Sequence, residues 1–558
     1  MSHKPVIIVG GGPVGLAAAL ELARFSIPTV LLEQHDSTSW HPKTRNFNTR
    51  TMEIARGWGR VVYQRLRGID SPPGWKSPIR FFDSVVGRQL GQIESRGFEG
   101  PGPQISPALP VMSSQDLIES ILRDAADAAD IIDLRFGHRV TGVVSGWRDD
   151  DTEAAVRVQV NATGESYTLP GEALVAADGV DSLVRRELGI GLKGEQGIHH
   201  FVNCYFYSGI ETYVGNRKGV LFFVANPEAA GVLQPLDAHG RWLCQIAVQP
   251  QQWSREQWDT KCVQRWVRGA VGVGDLDVEV KSVGLWQMNV TVAERLVQGR
   301  VVLCGDAAHQ FPPTGGLGVN TGLQGMHNAM WKLALCVRGA GGWPLLQTYD
   351  AERRVPAIRT ASQSLENHRN VLRVIAGAYN PAGADMGTDE IIRESRRYGN
   401  HLGVEFGTVY RSAAVISDGT EPPAVADSYS DYAPSATPGC RAPHVWLGNG
   451  TDPVSTLDLF GAGLTVLTGP GGDVWRTAAA DASRVLHVPI GCYTIGAPGL
   501  ADHGNAFFDE YQIKQDGAVL VRPDGYVAWR SATAHANGAP LIHAVAHILN
   551  SEAAVAAV

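Results

Sequence analysis

Several classes of protein are ruled out by what this sequence lacks. Its 558 residues include only seven cysteines, Cys204, Cys244, Cys262, Cys304, Cys336, Cys440 and Cys492, an odd number with no CxxC spacing. That argues against a disulfide framework and a metal site, and it fits a reducing compartment. Positive charge is also short: 48 Lys and Arg stand against 56 Asp and Glu, a net charge of −8. Such a balance suits nucleic acid poorly, because the footprint of a phosphate-backbone binder is basic. There is no internal repeat and no long apolar run. Residues 6–32 come nearest to one, but Glu21, Arg24 and Gly10-Gly11-Gly12 interrupt them, and no basic segment beyond Lys4 precedes them. They read as neither a signal peptide nor a membrane span, so the expectation is a soluble, cytoplasmic protein with no membrane partner. With 44% hydrophobic and 19% charged residues there is ample material for a packed core. The length predicts about two to four domains, or one large composite one.

What is present begins at once. Pro5-Val6-Ile7-Ile8-Val9 is a short β-branched run suited to a buried parallel strand. Gly10-Gly11-Gly12-Pro13-Val14-Gly15 follows. Leu16, Ala19, Leu20 and Ala23 then recur at helical spacing, and a second apolar strand at 29–32 ends on Glu33. This is GxGxxG between strand and helix with an acid about 20 residues on, the pattern of a dinucleotide-binding unit. Gly10 permits the tight turn, Gly12 lets backbone approach a pyrophosphate, and Gly15 lets the helix pack on the strand. The helix N-terminus turns its N–H groups toward the phosphates. Glu33 can accept from a ribose diol and would repel a 2′-phosphate, which selects a group of NAD or FAD type.

Two more strands end in polar or glycine motifs. Residues 174–177 run into Asp178-Gly179, with Ser182 and Arg185 beyond. Residues 301–304 run into Gly305-Asp306-Ala307-Ala308-His309. After them Pro312-Pro313-Thr314-Gly315-Gly316-Leu317-Gly318-Val319-Asn320 opens a long helix. In a doubly wound sheet, ligands sit beyond the carboxyl ends of the strands. Asp306 is placed to accept from a polyol chain. The glycine turn after it can stabilise negative charge on a bound ring. No second GxGxxG has this context, so the chain carries one dinucleotide fold.

Between 195 and 290 the pattern changes to short strands at 201–210, 219–225, 231–236 and 241–248, which predict an antiparallel sheet. Residues 60–110, rich in Gly and Pro, read as loops and edge strands. Residues 348–402 are helical, with breaks at Asn380-Pro381 and Gly383. Residues 417–438 read as a linker or surface crossover. The remainder forms a small α/β unit ending in a hairpin with a Pro523-Asp524-Gly525 turn.

The three motifs together resemble the group A flavoprotein monooxygenases, the aromatic-ring hydroxylases, over roughly residues 4–400. The C-terminal unit resembles the thioredoxin-like domain of the phenol- and polyketide-hydroxylase branch, without a CxxC for thiol chemistry. The implied fold class is α/β: a Rossmann-like FAD-binding domain interleaved with an antiparallel-sheet substrate domain, plus that C-terminal domain. The implied boundaries are a core at 1–400, a linker at 401–438 and the last domain at 439–558. Within the core, FAD-binding segments fall at about 1–60, 105–190 and 290–345, substrate-domain segments at 61–104 and 191–289, and a helical segment at 346–400.

The resemblance implies FAD as cofactor and NADPH or NADH as a transient co-substrate. Gly10, Gly12, Pro13, Val14 and Gly15 would meet the pyrophosphate, Glu33 the adenosine ribose, and Asp306 the ribityl or pyrophosphate region. Leu317, Gly318 and Val319 would face the isoalloxazine edge, and Gly316 and Asn320, at the ends of that stretch, would also bind the cofactor. Arg45 would lie near the flavin and Gln115 near its ribityl chain, while Asp178 and Arg185 would serve FAD and the nicotinamide cofactor. Candidate pocket residues are Tyr205, Tyr207, Phe222, Phe223, Gln234, Trp286 and Pro312. Arg45 and His309 are the weak candidates for catalysis, and no base is identified. The implied reaction hydroxylates a phenolic or polycyclic substrate with O2 through a flavin C4a-hydroperoxide. Oxygen insertion beside a ketone, other oxidative tailoring of a polyketide-like substrate, and a non-catalytic FAD-binding scaffold are the alternatives. A halogenase is disfavoured by the lack of a GWxWxIP-type sequence. A homodimer is left open.

Overall fold

A computed structural model describes residues 4–43, 45–379, 388–448 and 453–550. Along the chain, β1 (Val6–Val9) turns into α1 (Pro13–Arg24) and β2 (Thr29–Glu33), and α2 (Thr49–Arg56) follows a loop. Then come β3 (Leu174–Ala176), the long β4 (Leu192–Tyr207), β5 (Leu221–Ala225), β6 (Ala230–Pro235) and β7 (Arg241–Val248). Next are the long β8 (Glu279–Ala293), β9 (Val301–Leu303), α3 (Gly318–Val337) and α4 (Trp343–Tyr379). The expected breaks at Asn380-Pro381 and Gly383 lie outside the described residues.

The first sheet has six strands in the order Val297–Gln298, β9, β3, β1, β2, Ile132–Phe136. Its five main strands are parallel, so their carboxyl ends gather the three motifs at one edge. The strands are buried on both faces, as their unbroken β-branched runs require. Here α1 and α3 pack on the sheet and on each other.

An eight-stranded sheet carries the second layer: His309–Gln310, β8, β4, β7, β6, β5, Ile79–Phe82 and Gln89–Ile93. The expected antiparallel meander is present from β5 to β7, and β4 pairs with both β7 and β8. Residues 60–110 supply two of its strands and also the helix Arg60–Gly68, which the sequence reading placed in loops.

The C-terminal sheet runs Ile490–Thr494, Leu464–Thr468, Ala518–Val521, Val527–Ser531, its first pair parallel and the others antiparallel, with helices Asp473–Leu486 and Ala539–Leu549. That is a thioredoxin-like arrangement. The segment 401–438 is no slack tether: it forms the short helix Leu402–Phe406 and buries Tyr410, Ala414, Tyr429 and Ala436. No helix among the described residues is long and apolar enough to cross a membrane.

Candidate active site

At the β1–α1 turn the glycines divide into two kinds. Gly10 has φ +106°, and a Cβ there would meet the Ala177 carbonyl oxygen at 2.2 Å. A Cβ on Gly15 would meet the Gly10 carbonyl oxygen at 1.9 Å. Both are consumed by the packing of strand, turn and helix. Gly12 is different: a Cβ built on it touches nothing within 4 Å. It opens onto free space in front of α1, with Pro13 at the first helical position and Val14 beside it. Glu33 leans over the same turn, where Oε2 accepts from the Gly11 N–H at 2.6 Å and Oε1 from the His35 N–H at 2.9 Å.

The β9 motif faces this turn. Asp306 is exposed, yet the protein around its carboxyl pushes it up to about 6 against the pull of Lys43. Among the described residues it accepts no hydrogen bond. Gly315 (φ +113°) and Gly316 (φ +65°) bend the chain into α3, and Gly318, at the head of that helix, again borders open space.

Across from them, Arg45 is buried. Its Nη1 donates to the Val220 carbonyl at 3.1 Å and its Nη2 has no partner among the described residues; burial pushes the guanidinium down to about 10. Both side-chain amide atoms of Asn46, beside Gly316, are likewise buried and unpartnered. Buried polar atoms are normally paired, so this concentration marks a place built for a polar ligand. Open glycines at the heads of α1 and α3, an unpaired carboxylate, an acid at the end of β2 and unspent donors at Arg45 and Asn46 together fit a long flat dinucleotide.

The eight-stranded sheet roofs this cradle, and alternation decides which side chains face it. Val202, Cys204, Phe206, Leu233 and Trp242 point away, into a core with the helix Thr260–Val271. Phe201, Asn203, Tyr205, Phe223 and Trp286 occupy the other face. Phe201 stacks on Trp286 at 4.5 Å, and Phe223 on Phe81 at 5.1 Å. Polar groups lie among these rings. His41 Nδ1 is 2.8 Å from Ser282 Oγ, and its Nε2 is 3.3 Å from Asn203 Nδ2. Arg241 donates to the Tyr205 hydroxyl at 3.0 Å and to Asp116 at 2.7 Å.

Comparison with known proteins decides the family. A profile described as FAD binding domain matches residues 3–364, and one described as aromatic-ring hydroxylase, C-terminal, matches 435–551. The chain belongs to the FAD-dependent aromatic-ring hydroxylases. It is 34% identical to the tetracenomycin A2 monooxygenase-dioxygenase of Streptomyces glaucescens, covering 94% of this chain and 93% of that one. It is also 34% identical to the 4-methyl-5-nitrocatechol 5-monooxygenase of a Burkholderia species, covering 94% of each. The crystal structure of the flavin-dependent monooxygenase PieE with FAD and substrate superposes with a TM-score of 0.90, at 32% identity and 99% coverage of each chain.

Several expected site residues of this hydroxylase take other places. Phe222 faces the far core, stacked on Phe82 at 6.0 Å, because the register of β5 turns Phe223, not Phe222, toward the cradle. His309 is buried and stacked on Phe311 at 4.6 Å; burial and Arg353 push it down to about 3, so its ring stays neutral and packed. Asn320 spends its whole amide on protein: Oδ1 accepts from the Asn48 N–H (2.9 Å) and Thr51 Oγ1 (2.7 Å), and Nδ2 donates to the Asn46 (3.0 Å) and Gly316 (2.8 Å) carbonyls. Only its backbone is left for a ligand. Tyr207 is 37% exposed at the sheet rim, its hydroxyl 3.1 Å from that of Tyr205. Asp178 Oδ2 accepts from the Val184 N–H at 3.1 Å and so caps the helix Leu183–Glu187, while buried Arg185 leaves Nη1 unpaired. Gln115 donates to Glu119 at 2.6 Å at the start of its helix. Gln234 is half-buried on the cradle side of β6, and Pro312 is buried in the loop before α3. Sequence reading missed His41, Asn46, Asn203 and Arg241. Asn46, next to Arg45, was within reach of a motif argument; Asn203 and Arg241 are brought in by strand pairing, and His41 by a loop laid against those strands.

Proposed function

We propose that this hydroxylase oxygenates an electron-rich phenolic ring, most readily one within a polycyclic system, using O2 and reduced nicotinamide. Flavin, when bound, supplies the electron transfer and oxygen activation. Its diphosphate is held by Gly12, Pro13 and Val14 on the turn that Gly15 lets close, its ribose by Glu33, and its polyol chain by Asp306. Arg45, Asn46 and the Gly316–Gly318 backbone meet the ring. The single observation carrying this reading is the cluster of buried, unspent polar atoms at Arg45 and Asn46, the latter beside Gly316 at the entry to α3. The head of α3 and the Arg45 guanidinium both place positive potential there, which favours an anionic ring edge.

The aromatic wall of Phe201, Trp286 and Phe223 excludes water and holds a flat guest. A long flat guest suits the span from Phe201 to Tyr205, and the tetracenomycin and nitrocatechol relatives supply both size classes. Besides Tyr205, and His199 and His368 beside Phe201, this face carries His41. With Nε2 accepting from the Asn203 amide, its proton lies on Nδ1 and is donated to Ser282, so a substrate hydroxyl can exchange its proton through this pair. Burial first, and Lys43 second, hold His41 below the usual histidine range. It is therefore neutral and able to take a proton at pH 7. His41→Gln should lower turnover by about 10²-fold, and the acidic limb of the pH–rate profile should vanish. An unchanged profile would remove His41 from the proton path. The seven free cysteines support a reducing, cytoplasmic setting.

The direct test is turnover of a phenol and polycyclic phenol panel under ¹⁸O2 with NADH or NADPH. One labelled oxygen per product is expected. Peroxide alone, with every ring tried, would reject the reading.

A further inference from the structure

Among the contacts of the C-terminal domain with the core, one turn is the most deeply buried. Arg522 and Asp524, on either side of Pro523, are buried, and they meet groups from three core helices. Arg522 forks onto Glu352 of α4, Nη1 to Oε1 at 2.6 Å and Nη2 to Oε2 at 2.8 Å. It also grips Asp524, Nε to Oδ1 at 3.0 Å and Nη2 to Oδ2 at 2.5 Å. Asn328 of α3 donates to Asp524 Oδ2 at 3.0 Å and to Glu352 Oε2 at 2.6 Å. Lys332, one turn on, donates to Glu352 at 2.7 Å. Arg50 of α2 donates to the Asp524 main-chain carbonyl at 2.6 Å and to Glu53 at 2.8 Å, and Glu53 is in turn gripped by Arg441 of the C-terminal domain.

These bonds close a ring. Asp524 ties α2 to α3 at one level, through Arg50 and Asn328. Two helical turns nearer the cradle, Asn320 of α3 ties the same helices together through Asn48, the N-cap of α2, and Thr51. Arg45 and Asn46 precede α2 by a few residues, and Gly315, Gly316 and Leu317 lead directly into α3. On α2 both ties spring from the first turn, and on α3 they lie two turns apart, so the clamp runs from the C-terminal turn to the cradle end of α3. Charged, fully paired buried bonds are costly to form and stiff once formed, and so fix spacing better than apolar contact does.

We infer that Asp524 is a positioning residue for the flavin ring: the C-terminal domain sets the spacing of α2 and α3, and through it the cradle at Arg45, Asn46 and Gly316. The inference rests on the ring placement proposed above. The test compares full-length Asp524→Ala and Arg50→Met with Ile495→Ala, which thins a C-terminal cluster that holds no residue of α2, α3 or α4. The readouts are melting temperature, FAD dissociation constant and the visible bands of bound flavin. Asp524→Ala and Arg50→Met should weaken FAD by about tenfold or more and shift its bands. Ile495→Ala should leave both unchanged for a like fall in melting temperature. Wild-type affinity and bands in both clamp variants, or equal changes in Ile495→Ala, would overturn it. If Asp524→Ala does not fold, Arg50→Met decides alone. Asn46→Ala separates the two claims: if it leaves the bands unchanged, the ring placement fails; if it shifts them while both clamp variants do not, only this inference fails.

Discussion

Gly12→Val gives a folded protein without colour. The backbone at Gly12 is extended, with φ −75° and ψ −176°, which any residue adopts, and an added Cβ meets no protein atom within 4 Å. The fold therefore has no objection to the side chain. On the proposed placement the side chain fills the space of the diphosphate, so FAD affinity should fall by about 10²-fold or more. Gly15→Val makes the contrast, since its Cβ would lie 1.9 Å from a backbone oxygen and the turn cannot close. Circular dichroism and flavin absorbance on both variants check the pair: native folding with no flavin for the first, loss of native folding for the second. Asp306→Asn belongs beside them. A carboxyl raised to about 6 is more easily protonated folded than unfolded. Its ionisation therefore weakens the cofactor-free fold as pH rises from the unfolded value of 3.8 through 6. At pH 7.5 the amide should raise the melting temperature of the cofactor-free chain while weakening FAD binding. A fall in both would mean that Asp306 serves the fold and not the ligand.

Arg45→Met should divide stability from function in the same direction. A guanidinium with one carbonyl partner and a bare Nη2 is an uncompensated buried charge. Replacing it with an apolar side chain of similar length should stabilise the cofactor-free chain by about 1 kcal/mol or more. Turnover should drop by about 10²-fold, as when one preorganised donor to a developing negative charge is removed. Melting curves of the cofactor-free protein and product formation at saturating FAD check both halves. Destabilisation with normal turnover would make Arg45 a structural residue.

How much of this was legible beforehand follows the range of the interactions. The β1–α1 turn, the strand ends at Asp178 and Asp306 and the C-terminal hairpin are written in contiguous residues, and they appear where local chemistry puts them. Faces of strands are not local. Phe222 and Phe223 are equally aromatic, and only the pairing of β5 with β6 and with Ile79–Phe82 decides that Phe222 meets Trp242 while Phe223 meets Phe81. His41 acquires meaning from Ser282, 241 residues away. Asn320 was expected to serve the ligand because it follows the glycine turn. Its amide is instead exhausted by Asn46, Asn48, Thr51 and Gly316, a set assembled by helix packing. The clamp at Asp524 lies further still from any sequence signal, since Arg50 and Asp524 are 474 residues apart.

The account turns on a flavin lying in the cradle with its ring against the aromatic wall. The most direct measurement titrates the flavin-loaded protein with phenols of increasing ring number and follows the visible bands. One FAD per chain and a saturable band shift, lost in Trp286→Ala, are predicted. Protein that takes up no FAD on reconstitution, or a bound flavin whose bands no phenol perturbs, would contradict it.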